Sequence, residues 1–373
     1  MRKPLALVTS LLLLCSMAPA SAASKSSNQW SVTQKIYYVA LTPSSEPNFW
    51  TSQSEETLTA EGDMLVFAKT AVSNATAFWK RASNDGLKFG SPKFFVGKPG
   101  TSVRRCNNRA DIQSAMKIAG LKTIPVGVHL VVANISDTCG YAGIGAQGGN
   151  TVILKSLGTS TLTHELGHNF GYLHSASMFC EKSDYSKFNS NNCSIDEYGD
   201  FRDLMGNDEW CPNATLSATQ RATVFGVPLA KDIKVGQTYT VDESRSKSSN
   251  LVYQMKYKGT WYFFEYSNPG KDRCMMVSGI STSPEIQVRM IGPDWLLDKS
   301  GSAGPVIISR RESDLPAPVI PTEVNGVLML PPYGGWTLRG FKAGEKFQLP
   351  GTNLSLMVLT TESATATFTI SQW

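Results

Sequence analysis

The apolar positions of the chain fall into three regimes. Residues 35–41 (KIYYVAL) and 126–133 (VGVHLVVA) are short β-branched and aromatic runs with the composition of buried strands, and 151–154 resembles them. Between 58 and 83 the pattern is helical: Leu65, Ala68, Ala71, Val72, Ala75 and Phe78-Trp79 recur at spacings of three and four, and Asn84-Asp85-Gly86 ends the run. A shorter helix is expected over 110–119, and a third from an N-cap at Thr159 or Ser160 to about residue 170. After about 227 the runs 261–266, 285–290, 306–309 and 354–360 alternate with Gly, Pro, Asn and Ser turns, and no convincing helical period intervenes. The expectation is a mixed α+β domain over 35–225 abutting an all-β sandwich or jelly-roll domain over 226–373.

The N-terminus has a different purpose. Arg2 and Lys3 precede an apolar run over 5–14 that is too short to span a bilayer, and Ala20-Ser21-Ala22 supplies a small-residue cleavage pattern. Residues 1–22 thus read as a signal peptide and 23–34 as a flexible lead-in. No later run of 18 apolar residues occurs, so no stable membrane anchor is expected and the mature chain is expected to be secreted.

With 41% hydrophobic and 17% charged residues over 373 positions, the chain has ample material for a core. Removal of 1–22 lowers the formal charge from +5 to +3, and no Lys/Arg-rich run is present, so nucleic acid is not an expected partner. Six cysteines remain after Cys15 is removed: Cys106, Cys139, Cys180, Cys193, Cys211 and Cys274. In a secreted chain that even count reads as up to three disulfides. Proximity favours Cys180–Cys193 first and Cys106–Cys139 next. A cysteine zinc site lacks its CxxC pairs. Five N-x-S/T sequons (Asn74, Asn134, Asn192, Asn213, Asn353) matter only in a host that glycosylates, and no acidic loop has a convincing calcium pattern.

The chemistry is concentrated in one segment. Of four histidines, His164, His168 and His174 fall within eleven residues in HELGHNFGYLH, which fits H-E-x-x-H-x-x-G-x-x-H at every fixed position. A chance match of five positions in such a chain has odds of roughly one in ten thousand. Residues i and i+4 of a helix lie about 40° apart on one face. His164 and His168 can therefore face one zinc ion at about 2.0–2.1 Å, with Glu165 roughly 100° around the helix, placed to act on water rather than on metal. Gly171 suits a left-handed helix end, after which the chain returns His174 to the same ion. Three neutral ligands leave a position open for water. His129, inside an apolar strand, reads as a core or cross-strand residue.

Thirty-one residues after His174, YGDFRDLMG places Met205 in a tight-turn context. The extended motif followed by a Met-containing turn resembles the metzincin zinc metallopeptidases. Within them, CGYAGIGAQGG (139–149), THELGHNFGYLHS (163–175) and YGDFRDLMG (198–206) are most similar to the gametolysin-like family. The resemblance is strong over about 120–210 and architectural elsewhere. It implies a metzincin-type catalytic domain with one catalytic Zn2+ on His164, His168 and His174, and Glu165 as general base. It also implies a Met205 floor beneath the imidazoles and an extended polypeptide substrate, protein or glycoprotein. Residues 139–146 would form an edge strand over the cleft; a Gly-rich loop pinned by a disulfide at Cys139 is an equal reading. Asn207 stands where some relatives carry a ligating Tyr, so that feature is not expected. Between the expected cleavage point and the first strand, residues 23–34 contain no Cys to block a zinc ion. Tyr172 and Tyr198 are candidate helpers, although such residues are more often structural.

The function implied is a secreted zinc-dependent endopeptidase. A zinc peptidase with a distant Glu as third ligand is disfavoured by His174 and Gly171. The alternative from another class is a secreted adhesin or glycan-binding protein with a degenerate peptidase domain, against which an intact Glu165 argues.

Overall fold

The computed structural model describes residues 31–41, 60–98, 106–135, 139–156, 158–180, 193–200, 203–206, 215–227, 229–244, 246, 249–268, 284–291, 303–308, 310–311, 336–337 and 340–373. The signal peptide, most of the lead-in, Asn207, Cys211 and Cys274 lie outside them. The fold is mixed α/β, with several sheets and few helices.

The first sheet is built from β1 (Lys35–Leu41), β2 (Lys93–Gly97), β3 (Val128–Ala133), β4 (Gly143–Gly145) and β5 (Thr151–Leu154), in the order β2-β1-β3-β5-β4. All pairings are parallel except that of β4, which runs antiparallel to β5 at one edge. Both faces are covered, which explains the near-continuous apolar runs of β1 and β3. Ile36, Tyr38, Val131 and Val152 pack under α1 (Ala60–Ala82) and α3 (Thr159–Asn169), whereas Val39, Leu41, Leu130 and Val132 pack under α2 (Asn108–Ile118).

The helix signals acted locally much as the pattern suggests. Ala68, Ala71, Val72, Ala75 and Trp79 form the buried stripe of α1, which ends where Asn84 and Asp85 adopt positive φ. Asn107 caps α2 through its side chain, 3.1 Å from the amide of Ala110. The start of α3 differs from expectation. Gly158 is its N-cap and makes no side-chain cap bond, while Thr159 is already helical. Within this first part of the helix Thr163 donates its hydroxyl to the Thr159 carbonyl and the Thr161 hydroxyl pairs with that of Ser156.

The remaining chain forms β6 (His174–Cys180), β7 (Cys193–Asp196), α4 (Ala218–Phe225), β8 (Lys231–Asp232), β9 (Thr238–Asp242), β10 (Val252–Tyr257), β11 (Thr260–Ser267), β12 (Glu285–Ile291) and β13 (Ala303–Ile308). After them come β14 (Arg310–Arg311), β15 (Trp336–Thr337), β16 (Lys346–Gln348), β17 (Leu354–Thr361) and β18 (Thr365–Gln372). A seven-stranded sheet, β7-β6-β13-β12-β11-β10-β8, faces a four-stranded one, β16-β17-β18-β9. Their shared core sets Met178, Phe264, Val288 and Met290 against Leu356, Val358, Phe368 and Ile370. On the other face, Val252 and Phe263 pack with Ala218 of α4.

This sheet takes strands from both sides of 225/226. β6 precedes that point, yet it is hydrogen-bonded between β7 and β13, with His174 opposite Ala303. Ala176 and Met178 on β6 are fully buried in the sandwich core, so their burial depends on strands more than a hundred residues downstream. No helix among the described residues is long and apolar enough to cross a membrane.

Candidate metal centre

Two elements meet at the motif. α3 carries His164, Glu165 and His168, and β6 begins at His174. The link between them is a Schellman-type ending. Gly171, at φ +96°, donates its amide to the His168 carbonyl at 2.8 Å, and the Tyr172 amide reaches the Gly167 carbonyl at 3.0 Å. Four residues separate Asn169 at the end of α3 from His174, which the reversal delivers beside the helix. One ring nitrogen from each of His164, His168 and His174 lies within 4.8 Å of the others, and all three side chains are buried.

The hydrogen bonds behind the rings fix what these nitrogens are. His164 Nδ1 lies 2.8 Å from the Leu204 carbonyl, His168 Nδ1 2.8 Å from the Tyr172 carbonyl, and His174 Nδ1 2.6 Å from Glu197 Oε1. A carbonyl or carboxylate oxygen only accepts, so each Nδ1 donates and each Nε2 is left with a lone pair. The Nε2 atoms of His168 and His174 are 3.0 Å apart. Two lone pairs at that separation repel unless a cation lies between them. Backing of each imidazole by an oxygen acceptor is the outer-shell arrangement that suits a metal ligand. Burial, followed by the neighbouring His168, drives the His164 pKa down to about 3, and burial drives His168 to about 4. His174 is likewise lowered by burial, against the opposing pull of Glu197. All three are neutral at pH 7. The donor set therefore fits a zinc ion, with one side left for water.

Glu165 is buried on the same helix, covered by the edge strand. A β-carbon on Gly143 would lie 2.8 Å from Glu165 Oε1, and one on Gly145 would lie 2.2 Å from the Glu165 carbonyl and 2.9 Å from His168 Cβ. The two glycines of β4 thus bring strand backbone into contact with the helix at the turn that carries Glu165 and His168. The described disulfide, Cys106–Cys139, holds the chain just before this strand, and Tyr141 Oη donates to Asn108 at 2.6 Å alongside it. Cys193 is also disulfide-bonded, and the β6–β7 register sets Cys180 opposite it.

Met205 is fully buried beneath α3, with its Sδ against Gly167. Trp79 completes this floor and donates from its indole to the Thr163 carbonyl at 2.9 Å, tying α1 to α3. The two tyrosines have different places. Tyr172 is fully buried on Trp79 and Phe225, its hydroxyl has no hydrogen-bond partner among the described residues, and it serves the centre through its carbonyl alone. Tyr198 is half-exposed, with its ring centroid 4.0 Å from that of His174. Burial and the charges of Glu197 and Glu165 push its phenol up to about 12, so it stays protonated. His129 is a core residue: it lies 2.9 Å from Gln34 Oε1, contacts Phe170 edge-on, and is held down to about 4 by burial.

Glu197 and the carbonyls of Leu204 and Tyr172 were not legible in the motif. Glu197 lies within an acidic stretch, DEYGD, but no spacing rule distinguishes it from its neighbours. No protein-family model matches the chain, and no curated protein matches it.

Proposed function

We propose that the chain is a secreted zinc-dependent endopeptidase with a metzincin-type catalytic domain, acting on extracellular proteins or glycoproteins. The observation that carries the reading is the trio of neutral, inward-facing imidazoles on His164, His168 and His174, each backed by an oxygen acceptor, with Glu165 one residue from the first.

A zinc ion held by these three residues supplies Lewis acidity toward water and toward a carbonyl. Glu165, screened from solvent by β4, takes the proton from the attacking water and returns it to the leaving amine. β4 ends the five-stranded sheet, so its outer edge supplies backbone donors and acceptors to an extended peptide. Tyr198 borders the imidazoles with a protonated hydroxyl available to a substrate oxygen.

The test is zinc content together with cleavage of a denatured general protein, compared between wild type and Glu165→Ala. One zinc in both, with cleavage lost only in the variant, supports the reading. Absence of zinc from the wild type overturns it.

The adhesin reading has one supporting feature, a groove of about 470 Å³ at the sandwich edge lined by Trp261, Tyr257, Gln254 and Asn353. Its polar groups are already committed. Gln254 donates to Asp232, Asn353 donates to Gln372, and Lys256 lies over the Trp261 ring. Any activity of the protein that survives Glu165→Ala unchanged favours this second reading.

A further inference from the structure

Behind the candidate metal centre lies a buried arginine from the C-terminal sheet. Arg289, on β12, is 1% exposed. Its Nε donates to Glu265 Oε1 at 2.7 Å, and its Nη1 donates to Asp200 Oδ2 and, at 3.2 Å, to Ser175 Oγ. Ser175 Oγ also donates to Asp200 Oδ2 at 2.9 Å, and Glu265 Oε2 accepts from the amide and hydroxyl of Thr219 at the start of α4. Asp200, Ser175 and Glu265 are all buried, so none of these groups has water as a ready substitute.

The Ser175 and Asp200 arm of the network ends beside the centre. Ser175 follows His174 in the chain, and its amide donates to the Met205 carbonyl at 2.7 Å. The Asp200 amide returns to the Ser175 carbonyl at 3.2 Å. Gly206, next to Met205, packs so closely on the Asp200 carbonyl that a β-carbon there would lie 1.9 Å from it. Asp203 binds the amides of Met205 and Ser217, both at 2.9 Å. An apolar side chain at 289 would fill the space but leave Asp200 and Ser175 without the donor that sets their positions.

We propose that Arg289 is a positioning residue of the metal centre, through which the C-terminal sheet fixes Ser175 and Asp200 and thereby places His174 and Met205. The proposal rests on His164, His168 and His174 holding a metal, and is independent of whether the chain cleaves peptides.

The experiment uses the full mature chain and compares Arg289→Met, Arg289→Lys and Ser175→Ala with Tyr262→Phe. The last removes a buried hydrogen bond from Tyr262 to the Pro350 carbonyl, within the sandwich core. Zinc affinity is read by competition with a chromophoric chelator, and ligand geometry from the visible spectrum of the cobalt-loaded protein. Ser175→Ala and Arg289→Met are expected to weaken zinc binding by about 10–100-fold and alter the cobalt bands. Arg289→Lys should recover part of the loss, because it restores the charge without the fork. Tyr262→Phe should lower the thermal midpoint with affinity and spectrum unchanged. If Arg289→Met does not fold, Ser175→Ala decides. Wild-type affinity and spectrum in Ser175→Ala, or equal losses in Tyr262→Phe, overturn the proposal. Failure of the wild type to bind zinc or cobalt overturns it together with the metal reading beneath it.

Discussion

A β-carbon on Gly167 would lie 2.5 Å from Met205 Sδ and 2.9 Å from Trp79 Cζ2, so the missing side chain at 167 is what lets the methionine pass beneath α3. Glycine inside a helix ordinarily costs about 0.5–1 kcal/mol relative to alanine. Gly167→Ala should reverse that sign. Overpacking a filled site costs about 1–3 kcal/mol, which outweighs the gain in helix propensity. The variant should unfold at lower denaturant than wild type and bind zinc more weakly, since His164 and His168 flank the displaced turn. A Gly167→Ala protein more stable than wild type would show that Met205 yields freely and is not a fixed floor.

Glu197 accepts the Nδ1 hydrogen of His174 at 2.6 Å while its side chain remains 39% exposed. Partial exposure weakens its electrostatic contribution, so the expected loss is at the low end of that for outer-shell partners. Glu197→Ala should weaken zinc binding about tenfold, and Glu197→Gln less, because the amide oxygen still accepts. Chelator competition measures both. Equal affinities for all three proteins would mean that His174 is oriented by its backbone alone.

The parts of the molecule legible in the sequence are those written in local spacing. The strand runs at 35–41 and 126–133 follow from composition, the stripe of α1 from periodicity and the eleven-residue motif from fixed spacing, and His129 is in the core as its apolar setting implied. Contacts between distant segments were not legible. Arg289 and Asp200 are 89 residues apart, and β6 meets β13 across an interval in which nothing marks the pairing. β2 escaped notice because its edge position leaves KFFVG half-buried, without alternation. Among the three imidazole acceptors, two are main-chain carbonyls, which no side-chain pattern can encode.

The Cys106–Cys139 disulfide closes a separation of 33 residues and, with the Tyr141–Asn108 hydrogen bond, ties the approach to β4 onto the start of α2. Loop-closure entropy for such a link is worth about 3–4 kcal/mol. Replacing both cysteines by serine should lower stability by about that amount. Because β4 is the proposed edge for substrate while the ligands are on α3 and β6, KM for a peptide should rise more than zinc affinity falls. A kcat defect with unchanged KM would dissociate the disulfide from substrate binding.

The four histidines of the chain give the metal-free protein a defined acid lability. Burial lowers all of them, His129 and His168 to about 4 and His164 to about 3, with His174 also lowered. The unfolded chain takes up these protons near its ordinary value of 6.5, whereas the folded chain takes them up only near the depressed values. Between the two the unfolded state carries more protons, so the stability present above 6.5 is lost as pH falls toward 4. The slope is up to about 1.4 kcal/mol per pH unit for each imidazole. Asp203 acts in the opposite sense: burial raises its carboxyl from 3.8 to about 6, so its contribution is lost as pH rises through that interval. Among the described residues that is one carboxyl against four imidazoles, which favours a net slope with the sign of the histidines. Urea midpoints of chelator-treated protein should therefore fall from pH 7 to pH 5, and a level profile would contradict neutral burial. Zinc requires the same imidazoles neutral, and in the folded chain they stay neutral well below 6.5, so the midpoint gain from excess zinc should persist as pH falls from 7 and be lost only toward the depressed values. His129→Gln should make the metal-free profile less steep, since three lowered imidazoles remain, and leave the zinc-dependent gain intact, because His129 contributes to the core and not to the centre.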